Sequence, residues 1–498
     1  MEADPIIYDV CIIGAGVVGC AIARELSRYA LDVVVLEKGN DVASGATKAN
    51  SGIVHGGYTA TYGTAKAALC RRGNRMYARM EKDLNFGYRE TGSLVLAFDK
   101  VQQQTLRELI DNGKKNGVDD LELLSGRQIA QIEPTVSEEA IEALLCPTTG
   151  VTSPYELAIA LAESAVHNGT RFLLQATVTA ITEGPPFTVD LTSDDGGHPR
   201  TIQSRYVVNA AGLYSDRITA MVTDPGFAVS PKQGQYVVFE KGYGDIVDHV
   251  IFQTPTKAGK GILVTPTYHR NLMIGPNADE VENRDNVNTD EDVLSSIITR
   301  ARTSVPDIDL SKAITTFAGV RASSTTGDFV IGKTEIQGFV QAAGIDSPGL
   351  TSSPAIALTV RDLLADAGLE LRAKEGYDPY REGIIVPKSL SDEAVNALLE
   401  VESPERIICR CEQVSQGEIL DAAARGIPVL SIDAVKRRTR AGQGKCQGAF
   451  CRRRVAQVLG EKLGRPADEV IAMHDEESRG KSRAKARLLH MKSLGSAG

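Results

Sequence analysis

The stretch that decides the fold runs from Tyr8 to Glu37 and reads YDVCIIGAGVVGCAIARELSRYALDVVVLE. Its first part, Tyr8–Ile13, is a short apolar run rich in β-branched residues, which is typical of a buried strand. The run leads into a G-x-G-x-x-G sequence, an apolar helix pattern through Leu26, and a second apolar run, Asp32–Leu36. This order predicts a β-α-β unit of the Rossmann type.

Each glycine of the G-x-G-x-x-G sequence has a physical role in binding a dinucleotide. Gly14 permits a tight turn, Gly16 lets a pyrophosphate approach the backbone, and Gly19 lets the helix pack closely on the strand. The helix start then offers free N–H groups and a positive dipole end to phosphate oxygens. Glu37 follows the second strand, where a carboxylate accepts hydrogen bonds from a ribose hydroxyl. The sequence therefore predicts a dinucleotide site; a glycine-rich turn in another β-α-β unit is the alternative.

Length and composition exclude several classes of protein. A chain of 498 residues is expected to form about three domains. The formal net charge of −9 argues against a nucleic-acid partner, and no run reaches the ~18 apolar residues of a membrane span. Residues 1–7 lack the basic and apolar regions of a secretory signal. Eight cysteines in so long a chain do not suggest a disulfide scaffold, so a reducing, cytoplasmic setting is expected, with peripheral membrane attachment left open.

A loop of small and polar residues, 38–57, follows the second strand and is too long for an ordinary connection. Ordered loops of this length usually bind a ligand. Small residues let backbone amides and hydroxyl groups reach a diphosphate and a polyol chain. The loop supplies the following predicted cofactor-binding residues: Lys38, Ser44, Thr47, Ser51 and Gly52.

Two later apolar segments end in small residues, which lets the chain pass close to a cofactor. Tyr206–Gly212 is predicted to be a buried strand, and Gly338–Gly344 to be a last strand of the same sheet. The turn Gly344–Thr351 leads into a helix whose start favours negative charge on a ligand. These segments and the strand Ala176–Thr182 supply the remaining predicted cofactor-binding residues: Val178, Gly212, Gly344, Gly349, Leu350 and Thr351.

Four stretches together resemble the FAD-dependent oxidoreductases of the D-amino-acid-oxidase superfamily: the Gly14/Gly16/Gly19 unit, Asn50–Gly57, Tyr206–Gly212 and Gly338–Thr351. Within that superfamily, the likeness is closest to glycerol-3-phosphate dehydrogenases and L-2-hydroxyglutarate oxidases. The loop continues as Tyr58-Thr59-Ala60 and not as the Leu-Arg-Tyr of the aerobic quinone-linked enzymes. This departure weakens the transfer of their substrate-loop basic residue to this chain.

The resemblance covers residues 6–370 and implies FAD as the cofactor. An NAD domain would not need the Asn50–Gly57 loop, the Ala210-Ala211-Gly212 segment or the Gly344–Thr351 turn. The implied fold class is α/β, with a Rossmann-type FAD-binding domain interleaved with an antiparallel-sheet substrate domain. The expected FAD part covers about 6–90, 150–225 and 319–370, the substrate part 91–149 and 226–318, and a linker with one short helix 371–402.

Two residues are the candidates for catalysis. Phe317-Ala318-Gly319-Val320-Arg321 looks like the substrate-arginine segment of glycerol-3-phosphate dehydrogenases, and a guanidinium binds phosphate or carboxylate bidentately. The alternative for Arg321 is a structural salt bridge. His55 lies in a segment that looks like the flavin-facing loop of those enzymes. It is the candidate to orient the substrate or to take its hydroxyl proton, and a loop histidine with a purely structural role is the alternative.

Four cysteines near the C-terminus form a C-x-C…C-x-x-x-x-C pattern: Cys409, Cys411, Cys446 and Cys451. Four thiolates suit a [2Fe–2S] cluster or zinc, although zinc sites usually show C-x₂₋₄-C pairs. The pattern resembles the bacterioferritin-associated-ferredoxin-like [2Fe–2S] domain, which implies a small, mainly helical domain over 403–465 and a polar, basic tail over 466–498. Basic residues between 436 and 454 would offset the cluster charge or dock an acidic partner; a solvated face is the alternative.

Together these features predict an FAD- and [2Fe–2S]-containing dehydrogenase acting on a small anionic alcohol. The first choice of reaction is sn-glycerol 3-phosphate to dihydroxyacetone phosphate. A cluster accepts electrons singly after a two-electron hydride step, which favours electron delivery to a quinone or redox protein over reduction of O₂. The alternatives are an L-2-hydroxyacid or secondary-amine dehydrogenase, a non-catalytic electron-transfer subunit, and a zinc-stabilised interaction domain at 403–465.

Overall fold

The computed structural model describes residues 7–193, 200–255, 261–384 and 390–477. Within these ranges, the first large sheet has eight strands and is mostly parallel. Its strands are β1 (Ile7–Ile13), β2 (Val33–Leu36), β9 (Arg171–Leu173), β10 (Ala176–Thr182), β11 (Phe187–Ser193), β12 (Arg200–Asn209), β19 (Val330–Lys333) and β20 (Phe339–Ala343).

The parallel strands of this sheet bring four loops to one edge. Strand β1 lies between β2 and β12, with Ile13 opposite both Leu36 and Asn209, and β20 pairs with the other side of β12. The carboxyl ends of β1, β2, β12 and β20 therefore meet, and open parallel sheets bind ligands at such an edge. Apolar faces of three helices close the core behind the sheet: α1 (Val17–Leu26), α6 (Pro154–His167) and α9 (Gly349–Asp366).

The second large sheet has nine strands in the described residues and is mostly antiparallel. They are β5 (Ser93–Ala97), β6 (Glu122–Ser125), β7 (Glu142–Cys146), β13 (Val229–Lys241), β14 (Val250–Gln253), β15 (Leu263–Pro266), β16 (Asn271–Gly275), β17 (Asp279–Glu280) and β18 (Ala313–Ser324). Strand β13 is the central element, because it pairs with β18 along one side and with β16 and β17 along the other. This sheet covers the ligand-binding edge of the first.

The remaining elements are short sheets and helices at the periphery. The small sheets contain β3 (Ile53–Val54), β4 (Tyr88–Glu90) and β8 (Gly150–Thr152), and β21 (Ile407–Cys409) and β22 (Val414–Ser415). The other helices are α2 (Ala65–Asn74), α3 (Tyr77–Leu84), α4 (Lys100–Lys115), α5 (Gly126–Ile132), α7 (Ser215–Thr219), α8 (Glu291–Ser304), α10 (Asp392–Ala397), α11 (Gln416–Ala422), α12 (Ile432–Thr439), α13 (Arg452–Leu463) and α14 (Ala467–Glu477). Every helix in the described ranges is too short or too polar to cross a bilayer.

The predicted fold class is confirmed, including a mainly helical C-terminal domain. Hairpin β21–β22 and helices α11–α14 enclose their own apolar cluster. The predicted polar tail begins too early, since α14 continues the domain: Val470 is completely buried in that cluster. Residues 478–498 of the predicted tail lie outside the described residues. The other domain limits stay a prediction.

Two predicted elements differ from the structure. Leu69, Met76, Met80 and Leu84 have helical spacing, which predicts one helix over 64–84, but the chain turns between α2 and α3. Gly73 near the end of α2 lies so close to α9 that a Cβ atom would stand 2.1 Å from the Thr351 carbonyl oxygen, so α2 is fixed on α9 before the chain changes direction. The predicted linker contains the expected short helix, α10, but its first half is packed on the FAD side. Asn168 bonds the backbone of Asp378, and Arg381 pairs with Glu163 at 2.6 Å.

Candidate active site and iron–sulfur centre

A cavity of about 2590 Å³ lies at the carboxyl edge of the parallel strands. Its walls come from the first sheet, the second sheet and the C-terminal domain. Typical small-molecule pockets measure roughly 300–1,000 Å³, so this cavity has room for a long cofactor together with a substrate. The following predicted residues line it: Gly14, Gly16, Glu37, Lys38, Ser44, Thr47, Ser51, Gly52, His55, Val178, Gly212, Arg321, Gly349 and Leu350.

The first glycine turn has the geometry that a dinucleotide requires. Gly14 has φ +105°, and a Cβ atom there would lie 2.5 Å from the Ala210 carbonyl oxygen. A Cβ atom on Gly19 would lie 1.9 Å from the Gly14 carbonyl oxygen, so only glycine allows α1 to pack on the turn. Gly19 does not line the cavity but shapes its wall. Gly16 precedes helix α1 and has no side chain that could cap it. The Val17 N–H donates instead to the Thr47 hydroxyl oxygen at 3.0 Å.

Glu37 and Lys38 stand at one end of this wall. The two carboxylate oxygens of Glu37 accept hydrogen bonds from the Ala15 and Gly39 N–H groups, each at 2.8 Å. Burial raises the pKa of Glu37, and these two backbone bonds oppose the rise. The ammonium of Lys38 lies 3.8 Å from the centre of the Tyr214 ring. Glu37 thus stabilises the glycine turn and lines the cavity.

Gly344 and Thr351 lie behind the lining residues. Gly344 has φ +61°, and a Cβ atom there would approach Ser324 to 2.7 Å, so this residue makes the turn after β20 possible. The Thr351 hydroxyl accepts the His55 backbone N–H at 2.9 Å and donates to the Ile53 carbonyl at 3.3 Å. Thr351 therefore holds the loop that carries His55. The His55 ring itself lies 6.1 Å from the Phe252 ring, measured between centroids.

Arg321 projects from β18 into the cavity and is half-buried. Its Nη2 donates to the Asn277 carbonyl at 3.2 Å. In the described part of the chain no carboxylate pairs with it. Gly234 on the neighbouring strand leaves the necessary space, because a Cβ atom there would lie 2.7 Å from Nη2. The guanidinium is thus oriented by a neutral carbonyl group and lines the cavity.

The four C-terminal cysteines come together as two pairs. The sulfur atoms of Cys411 and Cys446 are 3.6 Å apart, and Cys409 is hydrogen-bonded to Cys451. The bond from Cys451 lowers the pKa of Cys409 to about 6, while Cys409 and burial raise that of Cys451. Among the described residues, no three metal-binding side chains converge on one point. Two pairs of thiols fit a cluster of two irons better than one tetrahedral zinc ion, which needs four ligands around a single centre.

The interface between the C-terminal domain and the FAD side was not foreseen. Arg440 pairs with Glu412 at 2.8 Å and bonds Asn271, and Gln443 accepts from the Tyr155 hydroxyl at 3.1 Å. Of the predicted basic residues, three are buried in this interface or beside it: Arg437, Arg438 and Arg440. A solvated basic face is therefore wrong for these three. Their acidic partners gave no sequence signal, because isolated carboxylates in polar segments are normally solvated.

Two sequence families match this chain. Residues 9–363 match the FAD dependent oxidoreductase family, and residues 407–461 match the BFD-like [2Fe-2S] binding domain. The first match covers nearly all of the two large sheets and the part of the cavity lining that they supply. The second covers the four cysteines.

Individual relatives agree with this division. A glycerol 3-phosphate dehydrogenase of Caloramator mitchellensis is 43% identical over 475 residues, which cover 94% of this chain and 97% of the relative. An L-2-hydroxyglutarate dehydrogenase of Salmonella houtenae is 29% identical over 54% of this chain and 64% of its own length.

Among solved structures, the FAD-bound L-α-glycerophosphate oxidase of Mycoplasma pneumoniae is similar with a TM-score of 0.71 and 27% identity, covering 76% of this chain and 98% of that one. The donor set of the cysteine pairs and the glycine cradle of the cavity fit the cofactors of the two matched families, [2Fe–2S] and FAD. The chain belongs to the FAD-dependent oxidoreductase family and carries a BFD-like [2Fe–2S] binding domain at its C-terminal end.

Proposed function

We propose that this protein is a dehydrogenase that oxidises sn-glycerol 3-phosphate to dihydroxyacetone phosphate. The observation that carries the substrate class is Arg321, a cation in the cavity wall that is oriented by a carbonyl and has no carboxylate partner among the described residues. A phosphate monoester matches the fork of its guanidinium bidentately. The 43% identical relative from Caloramator mitchellensis is a glycerol 3-phosphate dehydrogenase, which supports this choice over other anionic alcohols.

The reaction removes a hydride from the carbon and a proton from its hydroxyl group. FAD, when bound, accepts the hydride. The residues proposed to hold it are the Gly14–Gly19 turn, Glu37 and the lining residues of loop 38–57, together with Gly349 and Leu350 at the start of α9. Arg321 binds the phosphate, and His55 takes the hydroxyl proton. Thr351 is a positioning residue, since it fixes the backbone of His55.

The cysteine-rich domain supplies a route for the electrons. Cys409, Cys411, Cys446 and Cys451 would hold a [2Fe–2S] cluster, which would carry the electrons of the hydride one at a time. This supports a dehydrogenase that delivers electrons to a quinone or a redox protein rather than to O₂. The proposal includes an acceptor of one of these two kinds and a peripheral place of the protein at a membrane.

An L-2-hydroxyacid dehydrogenase is the second candidate, because Arg321 would bind a carboxylate equally well. The Salmonella houtenae relative is named as an L-2-hydroxyglutarate dehydrogenase. Anaerobic mixing of the oxidised protein with each substrate separates the two. We expect sn-glycerol 3-phosphate to bleach the flavin absorbance, and L-2-hydroxyglutarate and L-proline to leave it unchanged. Bleaching by L-2-hydroxyglutarate alone would favour the L-2-hydroxyacid dehydrogenase. Bleaching by none of the three substrates would favour a non-catalytic electron-transfer subunit.

A further inference from the structure

Asp41 is a fully buried carboxylate that two arginines of the C-terminal domain enclose. Arg438 donates to both of its oxygens, at 2.7 and 2.8 Å, and Arg437 donates to one of them at 2.6 Å. Arg438 is fully buried and Arg437 nearly so. Burial opposes ionisation of Asp41, but Arg438 and Arg437 outweigh it and lower its pKa to about 2. The group is therefore an ion pair with bidentate geometry.

Asp41 is also tied to the glycine turn of the FAD side. Its own side chain accepts the Val42 N–H at 2.8 Å, and the next residue, Ala43, donates to the Ala15 carbonyl at 2.9 Å. Ala15 in turn bonds Glu37. Asp41 is thus tied through its neighbours to the glycine turn that lines the cavity, and it does not lie at a free loop tip.

The two arginines are connected to the cysteines on the other side. They lie on α12, whose C-cap is Arg440, and the N–H of Gly442, two residues further on, donates to the Cys409 sulfur at 3.5 Å. Arg440 contacts Glu412, the neighbour of Cys411 in sequence. One continuous set of bonds therefore runs from the glycine turn through Asp41 and α12 to two of the four cysteines.

A second ionic contact supports the same arrangement. Glu163 on α6 is buried and pairs with Arg381 of the packed linker at 2.6 Å and with Arg425, beyond α11, at 3.8 Å. The domain meets the second sheet near Asn271, which pairs with Lys241 at the far end of β13. In the strand register, Arg321 of β18 lies opposite Lys232 of β13. Lys232 is nine positions from Lys241, or about 30 Å along β13. The C-terminal domain therefore contacts the second sheet at the end of β13 away from Arg321.

We propose that Asp41, Arg437 and Arg438 form a clamp that holds the iron–sulfur domain in one fixed orientation on the flavin cavity, so that electrons pass within the chain without movement of the domain. Buried ion pairs of this kind specify orientation more than they add stability, and bidentate arginine pairs are the most orientation-dependent of them. Asp41 is thus a positioning residue for electron transfer. The inference rests on the electron relay of the proposed function.

The test compares two rates after rapid anaerobic mixing of the holoenzyme with sn-glycerol 3-phosphate: bleaching of the flavin, and appearance of the reduced-cluster signal in freeze-quenched samples by electron paramagnetic resonance. In Arg438→Gln we expect cluster reduction to slow roughly tenfold or more, with flavin bleaching within about twofold of the parent. Arg438→Lys keeps the charge but not the bidentate geometry, so its rate of cluster reduction should lie between those of the parent and Arg438→Gln. Arg437→Gln, which removes one bond only, provides a milder variant should Arg438→Gln not fold.

Arg454→Gln is the control, because Arg454 of the same domain makes an exposed pair with Glu400 of the linker at 3.5 Å. Both rates should remain at the parent values. Limited proteolysis should separate the two domains faster in the clamp variants than in this control. Unchanged or faster cluster reduction in both Arg437→Gln and Arg438→Gln would overturn the clamp and indicate a mobile domain. If sn-glycerol 3-phosphate does not reduce the flavin, the proposed substrate fails, and the clamp is tested with flavin reduced by light and EDTA.

Discussion

Arg321 and Arg438 lie in different regions of one protein, and their surroundings are opposite. Arg321 is half-buried in the cavity wall, where its guanidinium contacts a backbone carbonyl and has space that a glycine leaves. Arg438 is fully buried at the domain interface, where a single carboxylate takes two of its donors. On the proposals made above, the difference teaches that an arginine kept for a ligand is oriented by neutral groups, whereas an arginine that fixes a domain is neutralised by the protein itself.

The largest expected effect comes from Arg321→Ala. Loss of a buried charged partner of a substrate anion costs about 4 kcal/mol, so kcat/KM for sn-glycerol 3-phosphate should fall nearly a thousandfold. Steady-state kinetics with an artificial dye measures it. Arg270→Ala, at an exposed pair with Asp245, is the control and should leave kcat/KM unchanged. An Arg321→Ala enzyme with parent kinetics would show that this arginine is a structural one like Arg438.

Asp41→Asn probes the other side of the comparison. It leaves two buried guanidinium groups without their anion, and breaking a buried ion pair from one side costs about 3 kcal/mol. We expect the urea concentration at the midpoint of unfolding to fall by the amount that corresponds to this free energy. The cluster absorbance reports the unfolding. Asp245→Asn, at an exposed pair, should change the free energy of unfolding by less than about 0.5 kcal/mol. Equal, small effects of both substitutions would contradict a tightly paired interface.

A smaller effect is expected when the space around Arg321 is reduced. Gly234→Ala places a methyl group 2.7 Å from Nη2 and 2.7 Å from the Pro276 Cβ atom, so the guanidinium must shift. We expect kcat/KM to fall about tenfold, or ~1.4 kcal/mol, mainly through KM. Gly332→Ala on strand β19 is the matched control, because a Cβ atom there meets no atom within 4 Å. If both alanines behave alike, the position of Arg321 does not depend on Gly234.

The smallest expected effect concerns the support of His55. Thr351→Val removes the hydroxyl that accepts the His55 N–H, and an unsatisfied buried donor costs about 1 kcal/mol. We expect kcat to fall about fivefold, measured in the same dye assay, while flavin content stays at the parent value. Thr351→Ser keeps the hydroxyl and should keep most of the activity. A loss in Thr351→Ser equal to that in Thr351→Val would assign the effect to packing and not to the hydrogen bond.

Local sequence patterns predicted the parts of the site that depend on the backbone. Gly14 marks the turn, since a residue with a Cβ atom would be strained at its positive φ and would lie too close to the Ala210 carbonyl oxygen. The spacing of the four cysteines likewise indicated the cluster site, because the C-x-C and C-x-x-x-x-C pairs supply the four thiolates that such a site needs. The sequence did not separate the residues that line the cavity from those behind it. Gly19, Gly344 and Thr351 have the right spacing but act through their neighbours.

By itself, the sequence determined the β-α-β unit with its dinucleotide turn and a four-cysteine metal site. These features follow from local periodicity, turn chemistry and ligand spacing, which neighbouring residues encode together. Only the tertiary structure decided that Asp41 meets Arg438, 397 positions later in the chain. It alone also decided which arginines are neutralised, because the fate of a charge depends on the surface that covers it, and that surface comes from distant parts of the chain.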